Sequence, residues 1–131
     1  MMPLLRGNMI IIESINAVGL TVSDLERSIA FYKDLFDFDL IEKLSNAGTA
    51  YLKIGEMLLA LTEKSGFVSS TESGSAVSFF VDEGDFEDSV DELEELGIPV
   101  VYGPENIRGG QVLVFSDPDG NRIELAYPKI G

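Results

Sequence analysis

Two stretches, AVGLTVSD at residues 17–24 and AVSFFVDE at residues 76–83, decide the fold of this chain. In each, apolar side chains alternate with small or polar ones, which is typical of a strand with one buried face. Each stretch ends in an acidic or hydroxyl cluster and runs into a helical pattern. The two stretches lie about half the chain apart, so the sequence predicts a structural repeat.

The same order of elements follows both stretches. Apolar residues at helical spacing predict helices near 24–36 and 85–96. Ser23 or Asp24 is the expected N-cap of the first helix, Asp85 caps the second, and Gly97 ends it. Three short strand patterns follow each helix, at about 38–44, 49–54 and 57–63, and at about 98–102, 110–116 and 121–127. The prediction is an α+β fold of paired βαβββ modules.

Length and composition indicate one domain. A chain of 131 residues with 45% hydrophobic content can form one core but is short for two. We expect a single domain over residues 1–131, with module one at about 9–63 and module two at about 76–128. The segment between them, about 64–75, is rich in Ser and Gly and is predicted to be a connector.

Charge and hydropathy narrow the classes of partner. Nine basic and 23 acidic residues give a net charge of -14, which disfavours nucleic acid and anionic membrane surfaces and favours a cationic ligand. The longest apolar run, near Met9–Ile12, is far shorter than the ~20 residues of a membrane span. No signal-peptide pattern precedes it, and the chain lacks cysteine. We expect a cytoplasmic protein that binds a small molecule.

Strand alternation separates a core face from a candidate ligand-binding face. Large apolar residues such as Leu20, Leu59 and Ile123 fall on the first face, which the helices should cover. The opposite face carries mostly small or polar residues, which leave room for a ligand. The predicted ligand-binding residues are Ala17, Gly19, Thr21, Tyr51, Lys53, Ala60, Ala76, Ser78, Phe80, Arg122 and Glu124. The alternative is that loops, a partner chain or large side chains fill this space.

Two longer motifs connect the repeat to a known family. The stretches VGLTVSDLERSIAFYKDLFDF (18–38) and GGQVLVFSDPDGNRIEL (109–125) resemble the vicinal oxygen chelate superfamily. This superfamily includes glyoxalase I, extradiol dioxygenases, fosfomycin resistance enzymes and bleomycin resistance proteins. The resemblance implies mixed sheets that curl into a cleft, helices on the outside and a homodimer.

The resemblance also assigns metal-ligand positions. They fall on Ala17, Ala60, Ala76 and Glu124, so three of the four residues have no donor atom. The chain also lacks histidine. The sequence therefore predicts no metal and no cofactor.

Three functional hypotheses follow from this face. The leading one is a metal-free small-molecule binding protein, most similar to the bleomycin-resistance branch, that sequesters a drug or metabolite. The first alternative is a metal-independent, glyoxalase-like lyase or isomerase with Glu124 as acid or base. The second is a non-catalytic interaction or regulatory module. Arg122 and Glu124, two residues apart on one strand face, form either a structural pair or a ligand clamp.

Overall fold

The elements follow the predicted order in both halves. The computed structural model describes residues 10–69 and 75–130. Module one contains β1 (Ala17–Val22), α1 (Leu25–Phe36), β2 (Asp39–Leu44), β3 (Thr49–Ile54) and β4 (Met57–Glu63). Module two contains β5 (Val77–Phe80), α2 (Glu83–Glu95), β6 (Val100–Ile107), β7 (Gly110–Ser116) and β8 (Arg122–Ala126). The α+β fold of paired βαβββ modules is confirmed.

Each module forms its own four-stranded mixed sheet with the same topology. The strand orders are β1-β4-β3-β2 and β5-β8-β7-β6. In each sheet the first and last strands of the module pair in parallel, and the other neighbours are antiparallel. As a result β1 and β5 lie at sheet edges, each hydrogen-bonded to one neighbour.

The helix ends agree with the sequence except at the start of α2. Asp24 caps α1, because its side chain accepts a hydrogen bond from the Arg27 amide at 3.0 Å. The predicted N-cap Asp85 is wrong, since α2 begins at Glu83 and Asp85 lies in its first turn. The first turn therefore carries two carboxylates, a placement that the helix dipole favours. Gly97, at φ 70°, follows the end of α2 as predicted.

Strand β6 is longer than predicted. The sequence pattern stops at residue 102, whereas β6 continues to Ile107. Gly103 and Pro104 weaken a strand pattern, because glycine has no side chain to pack and proline has no amide hydrogen to donate. A register shift between Tyr102 and Glu105 accommodates these two residues, and pairing with β7 resumes at Glu105.

The core lies on the predicted faces and is shared by both modules. Leu20, Leu59 and Leu61 are buried in module one, and Ile123 and Leu125 are buried in module two. The aromatic rings of Phe36 in α1 and of Phe79 and Phe115 in module two also pack together, with centroid distances of 5.4 and 6.1 Å from Phe36. Helix α1 therefore packs against strands of both modules.

Part of the predicted connector and the predicted start of module one lie outside the described residues. The connector at about 64–75 includes residues 70–74, and module one was predicted to begin at about residue 9. None of the helices in the described ranges is long and apolar enough to cross a membrane.

Candidate functional site

The first half of the predicted face lies on the module-one sheet. Ala17, Gly19 and Thr21 of β1 stand beside Leu58, Ala60 and Thr62 of β4, and Tyr51 and Lys53 of β3 stand beside Ala60 and Leu58. These side chains alternate with the buried core residues, so they point away from the core. An added Cβ at Gly19 would meet only the Ala60 carbonyl oxygen, at 4.0 Å. A larger side chain or a ligand atom therefore has room above Gly19 on this half of the face.

The second half lies on the module-two sheet and contains a polar pair. Ser78 of β5 is the neighbour of Glu124 on β8, and its hydroxyl donates a hydrogen bond to Glu124 Oε1 at 2.6 Å. Phe80 stands beside Ala126 and is 68% exposed. The Ala76 amide donates to the Arg122 carbonyl oxygen at 2.8 Å, which places Ala76 at the same end of the sheet as Arg122.

Arg122 and Glu124 do not form an ion pair. In the described ranges the ion pairs join Arg27 to Asp119, Lys43 to Glu26 and Lys129 to Glu83. Glu124 is hydrogen-bonded to Ser78, and no hydrogen bond of the Arg122 guanidinium is found within those ranges. Of the two predicted alternatives for these residues, the structural pair is therefore not seen.

Strand β7 adds two residues to the face that the sequence interpretation omitted. Val114 is the cross-strand neighbour of Glu124, and Val112 is the neighbour of Ala126. Both valines are buried, at 6% and 4% exposure. Their side chains nevertheless lie on the other face of β7 from the core residues Leu113 and Phe115. The alternation of QVLVFS would have indicated them. Glu124 thus has an apolar neighbour on its β7 side and a polar one, Ser78, on its β5 side.

The turn that precedes β8 fixes this half of the face to module one. The Asp117 carboxylate accepts hydrogen bonds from the amides of Asp119 and Asn121, from the Asn121 side chain, and from the Tyr32 hydroxyl of α1 at 2.7 Å. The Asn121 side chain also donates to the Thr21 carbonyl oxygen at 2.9 Å. Burial and the neighbouring Asp117 carboxylate raise the pKa of Tyr32 far above its usual range. The DPDGN turn therefore joins the modules through side chains as well as reversing the chain.

A second set of contacts strengthens this junction. One oxygen of the buried Asp119 carboxylate accepts hydrogen bonds from Ser23 and from the Arg27 guanidinium, at 2.5 and 2.9 Å. Arg27 also donates to Ser23 at 2.9 Å. From its own residues the DPDG stretch indicates only a turn, because Pro118 and Gly120 favour turn geometry. The cross-module contacts were missed because no local pattern encodes them.

The two halves of the predicted site lie on separate sheets within the chain. Ala17 and Ala60 belong to the module-one sheet, whereas Glu124 belongs to the module-two sheet and Ala76 immediately precedes β5 of that sheet. The structure therefore brings Ser78, Glu124 and Arg122 together in one group. It brings Ala17, Gly19, Ala60, Tyr51 and Lys53 together in the other.

Comparison with known families agrees with this architecture. The sequence profile of the Glyoxalase/Bleomycin resistance protein/Dioxygenase superfamily matches residues 14–125, which include both modules. The chain belongs to this superfamily. The family resemblance inferred from the sequence is thereby confirmed.

Several named proteins and solved structures are similar to this chain. The chain is 37% identical over 117 residues to a metallothiol transferase FosB of Staphylococcus epidermidis, covering 87% of this chain and 81% of the relative. It is 34% identical over 117 residues to a glutathione transferase FosA of Serratia marcescens, covering 87% and 80%. The fosfomycin resistance protein FosX of Listeria monocytogenes has the same fold, with a TM-score of 0.77 at 18% identity over 91% of this chain and 96% of that one.

These relatives correct the functional hypotheses from the sequence. The prediction of a metal-free small-molecule binding protein is wrong, because the relatives above 30% identity are named as transferases. The hypotheses of a protein most similar to the bleomycin-resistance branch and of a non-catalytic interaction or regulatory module are wrong for the same reason. The alternative of a lyase or isomerase with Glu124 as acid or base is also wrong, since these relatives are named as transferases.

The side chains of this superfamily member do not fit the metal that the name metallothiol transferase implies. Transition metals are held by three or four N, O or S donors. The chain contains no histidine or cysteine, and Glu124 is the single donor at the four ligand positions that the family resemblance implies. In the described residues no group of three His, Cys, Asp or Glu side chains could hold an ion. We therefore assign no chemical step to a metal.

Proposed function

We propose that this superfamily member is a transferase that adds a thiol to a small electrophilic molecule. In such a reaction the S–H bond breaks, sulfur bonds to an electrophilic carbon, a carbon–oxygen bond of an epoxide opens and the released oxygen takes a proton. The observation that carries the proposal is the 37% identity to a metallothiol transferase across 87% of the chain. A glutathione transferase at 34% identity supports the same class of reaction.

The geometry suggests where the substrates bind. We propose the face formed by the small residues of module one and by the polar pair of Ser78 and Glu124 in module two. Ser78 occupies one oxygen of Glu124, and the other oxygen has no hydrogen-bond partner in the described ranges, so it can accept a bond from a substrate. Lys53 and Arg122 supply positive charge for anionic groups, and cationic groups would meet Glu124.

The direct test is product formation. Purified protein would be incubated with fosfomycin and either glutathione or L-cysteine, with and without added Mn²⁺, and the mixtures analysed by mass spectrometry. We expect an adduct whose mass is the sum of the two substrates, formed faster than without protein. Glu124→Gln should lower the rate at least about tenfold, because it removes the charge of the face carboxylate. The same assay would then be run with other epoxides and thiols. If no pair of substrates in this panel forms an adduct faster than in buffer, the proposal is contradicted.

We also propose that the working form is a homodimer. The two halves of the face lie on different sheets, and the strands that border them, β1 and β5, are both edge strands. In a symmetric dimer, β1 of each copy can lie beside β5 of the other copy. The two halves of the face then meet at two equivalent sites. This arrangement would also cover the edges and the exposed ring of Phe80.

Light scattering would test the dimer. We expect the wild-type protein to be dimeric at micromolar concentration and Phe80→Glu to shift it towards monomer, because the new charge would be buried against a second copy. Ile41→Glu, an equally drastic change on the exposed outer strand β2, should leave the dimer intact and serves as the matched control. A monomeric wild-type protein would contradict the arrangement.

We propose that the chain is a single domain, supported by the hydrogen bonds that join the modules at Asp117 and Asp119. A cytoplasmic location is consistent with the absence of cysteine, because such a chain gains nothing from an oxidising compartment.

A further inference from the structure

A groove runs between helix α2 and the outer strand of the module-two sheet. Its volume is about 290 Å³. It is lined by Val90 and Glu94 of α2, by Ile98 in the connection to β6, and by Val100, Gly103 and Pro104 of β6. Val90, Ile98 and Val100 pack against the core on one side and are only partly buried, so their remaining apolar surface forms the floor of the groove. A ligand with apolar side chains can bury that surface, which favours binding.

One wall of the groove is a strand edge without a partner strand. Strand β6 stands last in the order β5-β8-β7-β6, so within the described ranges it is hydrogen-bonded to β7 alone. Residues 101–106 of β6 are exposed. An extended peptide can add to such an edge as a further strand and place alternate side chains in the neighbouring groove. Pro104 has no amide hydrogen, so we expect the added strand to pair beside residues 100–102, next to the groove floor.

The charge around the groove is entirely negative. Eight of the 13 residues of α2 are Asp or Glu, and the sequence contains no Lys or Arg between Lys64 and Arg108. Among the carboxylates of α2, only Glu83 has an ion-pair partner in the described part of the chain. Glu94 at the rim of the groove and Glu105 on β6 are exposed. A second copy of this acidic chain would therefore be repelled from the groove, whereas a basic ligand would be attracted to it.

We propose that the groove between α2 and β6 binds an extended, basic segment of another protein, which adds to β6 as a strand. Apolar side chains of the segment lie on the groove floor, and its Lys or Arg side chains pair with Glu94 and its acidic neighbours. The groove lies on the helix-covered side of the sheet, whereas Ser78 and Glu124 lie on the opposite face. The dimer proposed above uses β1 and β5, so it leaves β6 free.

Four synthetic hexapeptides, blocked at both ends, test the proposal by calorimetry at low ionic strength. The first alternates Lys and Val. The second is the same peptide with N-methyl groups on its two central residues, which blocks both backbone edges but keeps every side chain. The third alternates Glu and Val, and the fourth alternates Lys and Ser. We expect the first to bind at least about tenfold more tightly than the second and the third, and severalfold more tightly than the fourth.

Variants of the protein locate the binding site. Glu94→Lys should weaken binding of the Lys-Val peptide at least about fivefold, because it reverses the charge at the groove rim. Asp88→Lys makes the same change at an exposed position of the same helix, about 120° around its axis from Glu94, and should weaken binding far less. Val90→Thr keeps the shape of the floor but adds a hydroxyl, so it should weaken binding severalfold. Circular dichroism would verify that the variants are folded.

Several results would overturn the proposal. These are equal binding of the Lys-Val peptide and its N-methylated form, binding of none of the peptides, or equal effects of Glu94→Lys and Asp88→Lys. A change of oligomeric state in Glu94→Lys, measured by light scattering, would show that a second copy occupies the groove and would also overturn it. None of these measurements depends on turnover. Failure to form a thiol adduct would therefore contradict the transferase alone, and failure to bind the peptides would contradict the groove alone.

Discussion

Replacing Tyr32 with phenylalanine tests the junction between the modules. Tyr32 is fully buried in α1, and its hydroxyl donates to the buried Asp117 carboxylate at 2.7 Å. The substitution keeps the ring and removes a hydrogen bond to a charged group, which contributes about 1.5–3 kcal/mol. The Asn121 side chain still donates to the same oxygen at 3.0 Å, so the carboxylate keeps a partner. We expect Tyr32→Phe to lower the free energy of unfolding by about 2 kcal/mol near neutral pH.

The same contact predicts how this difference depends on pH. The pKa of Tyr32 is raised in the folded state, first by burial and then by the Asp117 carboxylate. In the unfolded chain the hydroxyl loses its proton near its usual pKa of about 10, whereas in the folded protein it stays protonated. Above pH ~10 the folded state therefore binds more protons, and the wild type loses about 1.4 kcal/mol of stability per pH unit through this group. The Tyr32→Phe variant has no hydroxyl at this position to titrate, so it does not lose this stability.

Urea unfolding at several pH values measures both effects. We expect the gap between wild type and Tyr32→Phe to be nearly constant up to about pH 9.5 and to be smaller by about 1.4 kcal/mol in total at pH ~11. Tyr102→Phe removes a hydroxyl from an exposed tyrosine and should change stability by less than about 0.5 kcal/mol at any pH. A gap that persists unchanged above pH ~10 would refute the reasoning.

Three further substitutions test the fold and the face. Asp24→Ala should cost about 1 kcal/mol in urea unfolding because α1 loses its N-cap, and Asp24→Asn should recover most of it. Gly110→Ala should cost at least about 2 kcal/mol or prevent folding, since the new methyl group would overlap the Tyr127 carbonyl oxygen; a fully stable variant would contradict the packing. Ala17→His combined with Ala76→His should create a Zn²⁺ site in the proposed dimer, measured by calorimetry, whereas either change alone should gain little.

The sequence by itself determined the modules and their faces. Local spacing was sufficient for this, because strand alternation and helical periodicity depend only on which side chains must be buried. Leu20, Leu59 and Ile123 are buried as the alternation requires. The start of α2 and the end of β6 were misplaced for a related reason. Several acidic residues could cap α2, and the register shifts that carry β6 past Pro104 depend on its partner strand.

The candidate site was only partly accessible from the sequence. Alternation correctly put Ser78, Arg122 and Glu124 on one face, but it could not decide whether Arg122 and Glu124 pair with each other. That depends on the register between β5 and β8, which sets Ser78 beside Glu124. The inference of a binding protein failed because missing metal ligands were treated as evidence against catalysis. The 37% identity to a transferase extends over most of the chain and outweighs that argument.

Only the tertiary structure decided how the modules meet. Tyr32 and Asp117 are 85 positions apart, and Arg27 and Asp119 are 92 apart, so no local pattern links them. The DPDGN turn is readable as a turn from its own residues, because proline and glycine restrict or free the backbone locally. Its role as the junction depends on carboxylates that are buried against α1, and burial is a property of the assembled chain. Sequence patterns specify which face of each element is apolar, whereas long-range packing selects which polar groups become partners.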